Sequence, residues 1–89
     1  MYRIYKYILA VDDQVVMMKD GANILSVQFQ GDDLCLWALV NPDHDDYSYK
    51  FKVVGTGHDI EGHLNNLKYV GTAQHPNVPI VVHVFQSLI

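Results

Sequence analysis

The pattern of apolar and polar positions is clearest over residues 23–40, where two runs are joined by an acidic turn that contains a glycine, residues 31–33. Apolar residues occupy every second position of the first run, which is the period of a strand with one buried face. The second run, residues 34–40, has no polar residue and holds Cys35 and Trp37, the only cysteine and the only tryptophan. Both of its faces should therefore be covered, and we predict a hairpin whose second arm is a central strand.

Five more runs have the alternation or the composition of β-strands. They cover residues 2–9, 14–18, 47–54, 67–74 and 80–85. The turn signal Asp12-Asp13 predicts that the first two runs form a hairpin, and Gly71 interrupts the sixth strand. The pattern predicts one all-β domain over residues 1–89, a small antiparallel sandwich or barrel of about seven strands. At most one short helical turn fits, within residues 60–66.

Two of the predicted strands, the fourth and the seventh, are apolar on both faces. Such strands lie at the centre of two packed sheets, or they become covered in an oligomer. The chain also has six tyrosines, a residue type enriched at interfaces, so some of them should face a partner. The rims of a monomeric sandwich would accommodate them as well. We predict a homo-oligomer.

Composition and charge exclude several classes of function. The 89 residues carry a net charge of −4, and the six basic residues are scattered, so the basic footprint of a nucleic-acid-binding protein is missing. No apolar run approaches the roughly twenty residues of a membrane-spanning helix, and the amino terminus has no signal-peptide pattern. The single cysteine fits a reducing cytoplasm, and its apolar surroundings predict that it is buried.

Five motifs taken together carry a family resemblance. They are GANILSVQ (21–28), CLWALVNPD (35–43), GTGHDI (55–60), YVGTAQ (69–74) and VVHVF (81–85). In this order they resemble a family of small bacteriophage and prophage proteins of about this length that consist of a domain of unknown function. The resemblance implies a phage-encoded protein that acts in the bacterial cytoplasm during infection. It implies no reaction and no ligand.

The segment Gly55-Thr56-Gly57-His58 is the most distinctive local motif. Two glycines around a threonine can turn several backbone N–H groups to one side, and such a nest attracts phosphate or carboxylate. Thr56 would add a hydroxyl and His58 a donor, and Tyr47 and Tyr49 would complete a ligand site. The alternative is a strand corner that needs glycine for its dihedral angles. Because no lysine and no helix of useful length follow, the segment is not a nucleotide-binding fingerprint, and we predict no cofactor.

Four residues form a second candidate site. The loops at 55–66 and 75–79 could converge and bring together His58, Asp59, His63 and His75, a plausible zinc or manganese set. The spacing matches no known zinc motif, so the set depends on tertiary structure alone.

These observations favour a protein that binds and does not catalyse. The sharper hypothesis is a phage accessory protein that engages a host protein or sequesters a small ligand, for instance to counter a defence system. It predicts no nucleic-acid partner and no membrane association. Two alternatives stay open: a metal-dependent hydrolase that uses the histidine set, and a minor structural protein of the virion.

Overall fold

The computed structural model describes all 89 residues, and strands account for nearly all of its regular structure. A single 3₁₀ turn, Leu64–Asn66, is the only helical element, and no helix is long or apolar enough to cross a membrane. The predicted all-β class is confirmed. The strands are β1 (Arg3–Leu9), β2 (Gln14–Lys19), β3 (Asn23–Gln30), β4 (Asp33–Val40), β5 (Asp46–Gly55), β6 (Leu67–Gln74) and β7 (Val81–Ser87).

The strands form two antiparallel sheets and not a closed barrel. The three-stranded sheet has the order β1-β4-β3, and the four-stranded sheet has the order β2-β5-β7-β6. The predicted hairpin of β3 and β4 is confirmed, and β4 is the central strand of its sheet. The interior position of β7 likewise explains why its sequence is apolar on both faces.

The predicted hairpin of the first two strands is wrong, because β1 pairs with β4 and β2 pairs with β5. Residues 10–13 carry the chain from one sheet to the other. The side-chain amide of Gln14 stabilises this crossing segment by hydrogen bonds to its backbone. It accepts from Ala10 N–H at 2.9 Å and donates to the Ala10 and Asp12 carbonyl oxygens at 2.7 and 2.9 Å. A local turn signal marks a change of direction, but it does not identify the strand that pairs next.

The core lies between the sheets and follows the alternation seen in the sequence. Every second residue of β4 points inward, and the inward residues of β5 and β7 meet them from the other sheet. The members supplied by these strands are Leu34, Leu36, Ala38, Val40, Phe51, Val53, Val82 and Val84. Cys35 is buried on the other face of β4, as its surroundings predicted, and His75 is the only buried polar residue.

The six tyrosines divide equally between the core and the surface. Tyr5, Tyr7 and Tyr49 pack against the core from the inner faces of the sheets. The exposed three are Tyr2, Tyr47 and Tyr69. Half of the tyrosines are therefore explained by packing between the sheets, and half are available at the surface.

Candidate functional site

A cleft of about 690 Å³ opens at one end of the four-stranded sheet. Residues 53–56 and 79–82 form two of its sides, and Val11, His58 and Asp59 complete the lining. Six of the eleven lining residues are hydrophobic, and the volume lies within the range of about 300–1,000 Å³ that small-molecule sites occupy. The cleft is the candidate ligand site.

The predicted glycine motif forms a tight turn at the mouth of this cleft. The His58 N–H donates to the Gly55 carbonyl oxygen at 3.2 Å, and the Thr56 N–H donates to the Val81 carbonyl oxygen at 3.4 Å. Gly57 has φ +84°, the left-handed value that the third position of a type II turn requires. Two of the N–H groups that an anion-binding nest would present are therefore already bonded within the protein. The motif has the geometry of a strand corner that needs glycine.

The imidazole of His58 lies directly against the backbone of Gly55. A Cβ atom at Gly55 would be 2.9 Å from two atoms of the ring, which is closer than side chains approach one another. A side chain at this position would require the exposed His58 ring to move away. In this position His58 lines the cleft.

Thr56 connects the cleft to a chain of hydrogen bonds across the outer face of the four-stranded sheet. Its Oγ1 lies 2.7 Å from His83 Nε2, and His83 Nδ1 lies 2.9 Å from Thr72 Oγ1. The Thr72 hydroxyl lies 2.5 Å from the hydroxyl of Tyr69. A neutral imidazole has one donor and one acceptor nitrogen, so all hydrogen bonds of this series donate in the same direction at a given time. When His83 Nε2 is the acceptor, Thr56 donates to it and keeps its free lone pairs for a ligand.

The two tyrosines predicted to join the ligand site lie at the opposite end of β5. Tyr49 is six positions from Gly55 along the strand, which at about 3.3 Å per position is about 20 Å, and Tyr47 is farther still. The hydroxyl of Tyr49 donates to the Lys19 carbonyl oxygen at 2.9 Å and accepts from the Ala22 N–H at 3.2 Å. Tyr49 thus fixes the turn between β2 and β3. Tyr47 is exposed and packs edge-on against it.

The four residues predicted as a metal set are not brought together. His58 and Asp59 line the cleft, whereas His63 lies in a separate depression beside Lys52. Both ring nitrogens of His75 are engaged: Nε2 lies 2.8 Å from the Asp32 carboxylate, and Nδ1 accepts from the N–H groups of residues 77 and 78. No group of three or more histidine, cysteine or acidic side chains has an arrangement that could hold a metal ion.

Sequence reasoning missed the residues that organise the site from a distance. His83 has no local signal of a role in the site, because its hydroxyl partners lie on β6 and in the turn that follows β5. Val11 lines the cleft because residues 10–13 cross between the sheets. The predicted hairpin of the first two strands did not indicate this position. Alternation along the strands predicts that Thr72 and His83 lie on an outer face. That they are neighbours follows only from the pairing of β6 with β7, which the sequence does not show.

The fold and the cleft together define a small two-sheet β domain with an open site at one end of its larger sheet. The family model of the domain of unknown function DUF7352 matches residues 1–88, and the chain belongs to this family. Comparison with curated proteins and with solved structures gives no match. The part of the resemblance that concerns a domain of unknown function is thereby confirmed.

Proposed function

We propose that this protein is a small accessory binding protein that sequesters a small ligand in the cleft beside Gly55–His58. The observation that carries the proposal is the cleft itself, whose apolar walls bear a few polar groups at one place, Thr56, His58 and Asp59. Ligand sites in general combine a mostly apolar lining with a few such groups, which fix the orientation of the ligand.

The chemistry around Thr56 supports binding over nucleophilic catalysis. A hydroxyl bonded to a histidine is the first half of a nucleophile and base pair, and Thr56 and His83 have this contact. In hydrolases of that kind the second ring nitrogen donates to a buried carboxylate, which stabilises the imidazolium. Here the second nitrogen contacts the neutral hydroxyl of Thr72. The imidazolium would gain little from it, and His83 is better suited to orienting Thr56.

The proposal places the protein in the cytoplasm of an infected bacterial cell, where sequestering a small molecule would counter a host defence. The phage setting is supported by the five motifs quoted above, and it is part of the proposal. Expression of the chain in a bacterial host, followed by challenge with phages that the host normally restricts, tests this part. Increased plating that is lost in a cleft variant is the expected result.

Native mass spectrometry tests the binding function directly. We expect protein purified without added metal or chelator to carry extra mass under gentle conditions and to lose it under denaturing conditions. The Ile80→Arg variant should lose that mass, because the new side chain would enter the cleft. Val78→Arg is the matched control, since Val78 lies in the same loop, is similarly exposed and does not line the cleft. Extra mass that persists in Ile80→Arg would contradict the proposal.

We also propose that the protein self-associates through the outer face of the three-stranded sheet. Ile4 and Ile8 are each 60% exposed on this face, opposite Leu39 and the buried Cys35 of β4. Lys6 adds one positive charge and Asp33 one negative charge, so two copies can meet here without net repulsion. A second copy would cover this outer face, on which Ile4 and Ile8 are exposed.

Light scattering after gel filtration measures this association. The wild-type chain should elute as a dimer or larger oligomer, and Ile8→Lys should elute as a monomer, since a charge on an apolar interface is costly. Val15→Lys is the matched control, because Val15 is 59% exposed but belongs to the other sheet. A monomeric wild type at high concentration would refute self-association, and a monomeric Val15→Lys would show that the association does not use the outer face of the three-stranded sheet.

A further inference from the structure

We propose that the cleft selects ligands with an apolar body that ends in a protonated amine. This inference rests on the proposed function and gives it a chemical class. It comes from the charges that line the cleft and from the hydrogen-bonding state of the turn beside it.

The apolar part of the ligand would lie along one side of the cleft. Ile80 and Val11 line the cleft and are 47% and 61% exposed, so each has hydrophobic surface that a ligand can cover. Burying such surface stabilises a complex. A short alkyl chain therefore gains affinity here whatever group it carries, which makes the group at its end the source of selectivity.

The polar side of the cleft favours a positive group. Asp59 is the only acidic residue in the lining, and no lysine or arginine is present to balance it. A phosphate or carboxylate would meet the Asp59 carboxylate without a compensating cation, and like charges in this arrangement repel. The turn offers an anion little in return, because the N–H groups of Thr56 and His58 already donate to protein carbonyl oxygens.

Thr56, three positions before Asp59 in the chain, also lines the cleft and carries a neutral hydroxyl. When its hydroxyl donates to His83 Nε2, the Thr56 oxygen presents lone pairs and no proton toward the cleft. An ammonium group has three donors and no acceptor, so a carboxylate and an outward lone pair match it. The chain through Thr72 to Tyr69 is satisfied equally well in the opposite direction, so the amine preference rests on Asp59, and Thr56 adds an acceptor in this tautomer of His83.

Three probes of equal chain length separate the contributions: hexylamine, hexanol and hexanoate. Each is titrated into the protein at neutral pH and constant ionic strength, and binding is followed by the backbone amide signals of residues 53–59 and 79–82. We expect hexylamine to bind about tenfold tighter than hexanoate, with hexanol between them, because the exposed Asp59 carboxylate attracts the ammonium group and repels the hexanoate carboxylate, each by a modest amount in water. Saturation of the same signals by all three would show that the cleft itself binds.

Asp59→Asn is the decisive variant, and it should reduce hexylamine affinity to that of hexanol while leaving hexanol unchanged. Glu61→Gln is the matched control, because it removes a carboxylate two residues away that does not line the cleft. Equal affinities of the wild type for hexylamine and hexanoate would overturn the amine preference and leave the binding function intact. If no probe shifts the cleft signals, both proposals fail.

Discussion

A Cβ atom at Gly71 would lie 2.7 Å from the Cγ2 atom of Val27. Val27 is buried, and the two residues belong to β3 and β6, the strands at which the two sheets approach each other. Gly71 also follows a register shift in the pairing of β6 with β7. The glycine that interrupts the sixth strand in the sequence is therefore the residue that allows the sandwich to close along this side.

The Gly71→Ala variant should lose about 1–3 kcal/mol of unfolding free energy, because the added methyl group over-packs the core. Urea unfolding followed by the fluorescence of Trp37 measures the loss. The Gly71→Ala/Val27→Ala double variant supplies the control, since removing Cγ2 of Val27 makes room for the new methyl group. The double variant should be more stable than the sum of the single losses predicts, by about 1 kcal/mol or more. Strict additivity would show that the contact does not limit the approach of the strands.

Tyr49 and Tyr47 provide a second prediction, because both were expected at a ligand site. Tyr49→Phe should destabilise the protein by about 1 kcal/mol, since its hydroxyl bonds with Lys19 and Ala22 are lost. Tyr47→Phe should change stability by less than about 0.5 kcal/mol, because its ring is exposed. Thermal unfolding of both variants gives the comparison. Equal effects of the two substitutions would contradict the structural role of Tyr49.

His75 tests whether a residue from the predicted metal set is structural. His75→Ala should cost about 2–4 kcal/mol, since two backbone N–H groups lose their acceptor and the ring no longer packs against Phe29. His75→Asn should recover part of this, because an amide oxygen can accept from the same N–H groups. The measurement is urea unfolding in the presence and absence of a chelator.

Asp32→Asn is the control for the other ring nitrogen of His75. The Asp32 carboxylate is 93% exposed, so its pairing with His75 should contribute less than about 1 kcal/mol. A wild-type stability that falls on chelation, with His75→Ala insensitive to it, would revive the metal interpretation.

The sequence predicted the strands well because alternation and turn residues are local signals. All seven strands were anticipated within a few residues, and the central position of β4 followed from its lack of polar residues. The pairing of β1 with β4 was not predictable from the Asp12-Asp13 turn, because both possible partners satisfy the same turn. Long-range pairing is decided by packing in the core, to which residues far apart contribute.

The candidate site was predictable only in its local part. The Gly55–His58 turn stands out in the sequence and does border the cleft. Tyr47 and Tyr49 lie on the same strand as Gly55, but an extended strand places residues six positions apart at a distance of about 20 Å. The partners of Thr56 and His75 come from other strands and loops, so their roles required the three-dimensional structure.

Tyr7 predicts how stability depends on pH. Burial raises the pKa of Tyr7 above its ordinary value of 10.0, and Tyr5 and Asp46 raise it further. Below about pH 10 both folded and unfolded chains keep the phenol proton, so Tyr7 gives no pH dependence there. Above about pH 10, Tyr7 loses its proton more readily in the unfolded chain than in the folded protein. The free energy of unfolding therefore falls as pH rises toward the folded pKa of Tyr7. Lys19 acts in the same direction, since its hydrogen bond to Asp46 raises the pKa of the ammonium group.

Urea unfolding of wild type and Tyr7→Phe from neutral to strongly alkaline pH measures this contribution. Phenylalanine keeps the ring packed against the core and cannot ionise, so the variant should match wild type at neutral pH and lose less stability at alkaline pH. The stability of the variant should still decline somewhat at alkaline pH. Lys19 and Asp46 are 3.0 Å apart, and their attraction is lost when the ammonium group loses its proton. Tyr2→Phe removes an ionisable ring that is 68% exposed, and its profile should follow that of wild type. Superimposable profiles for Tyr7→Phe and Tyr2→Phe would mean that the half-buried position of Tyr7 between the sheets has no effect on its ionisation.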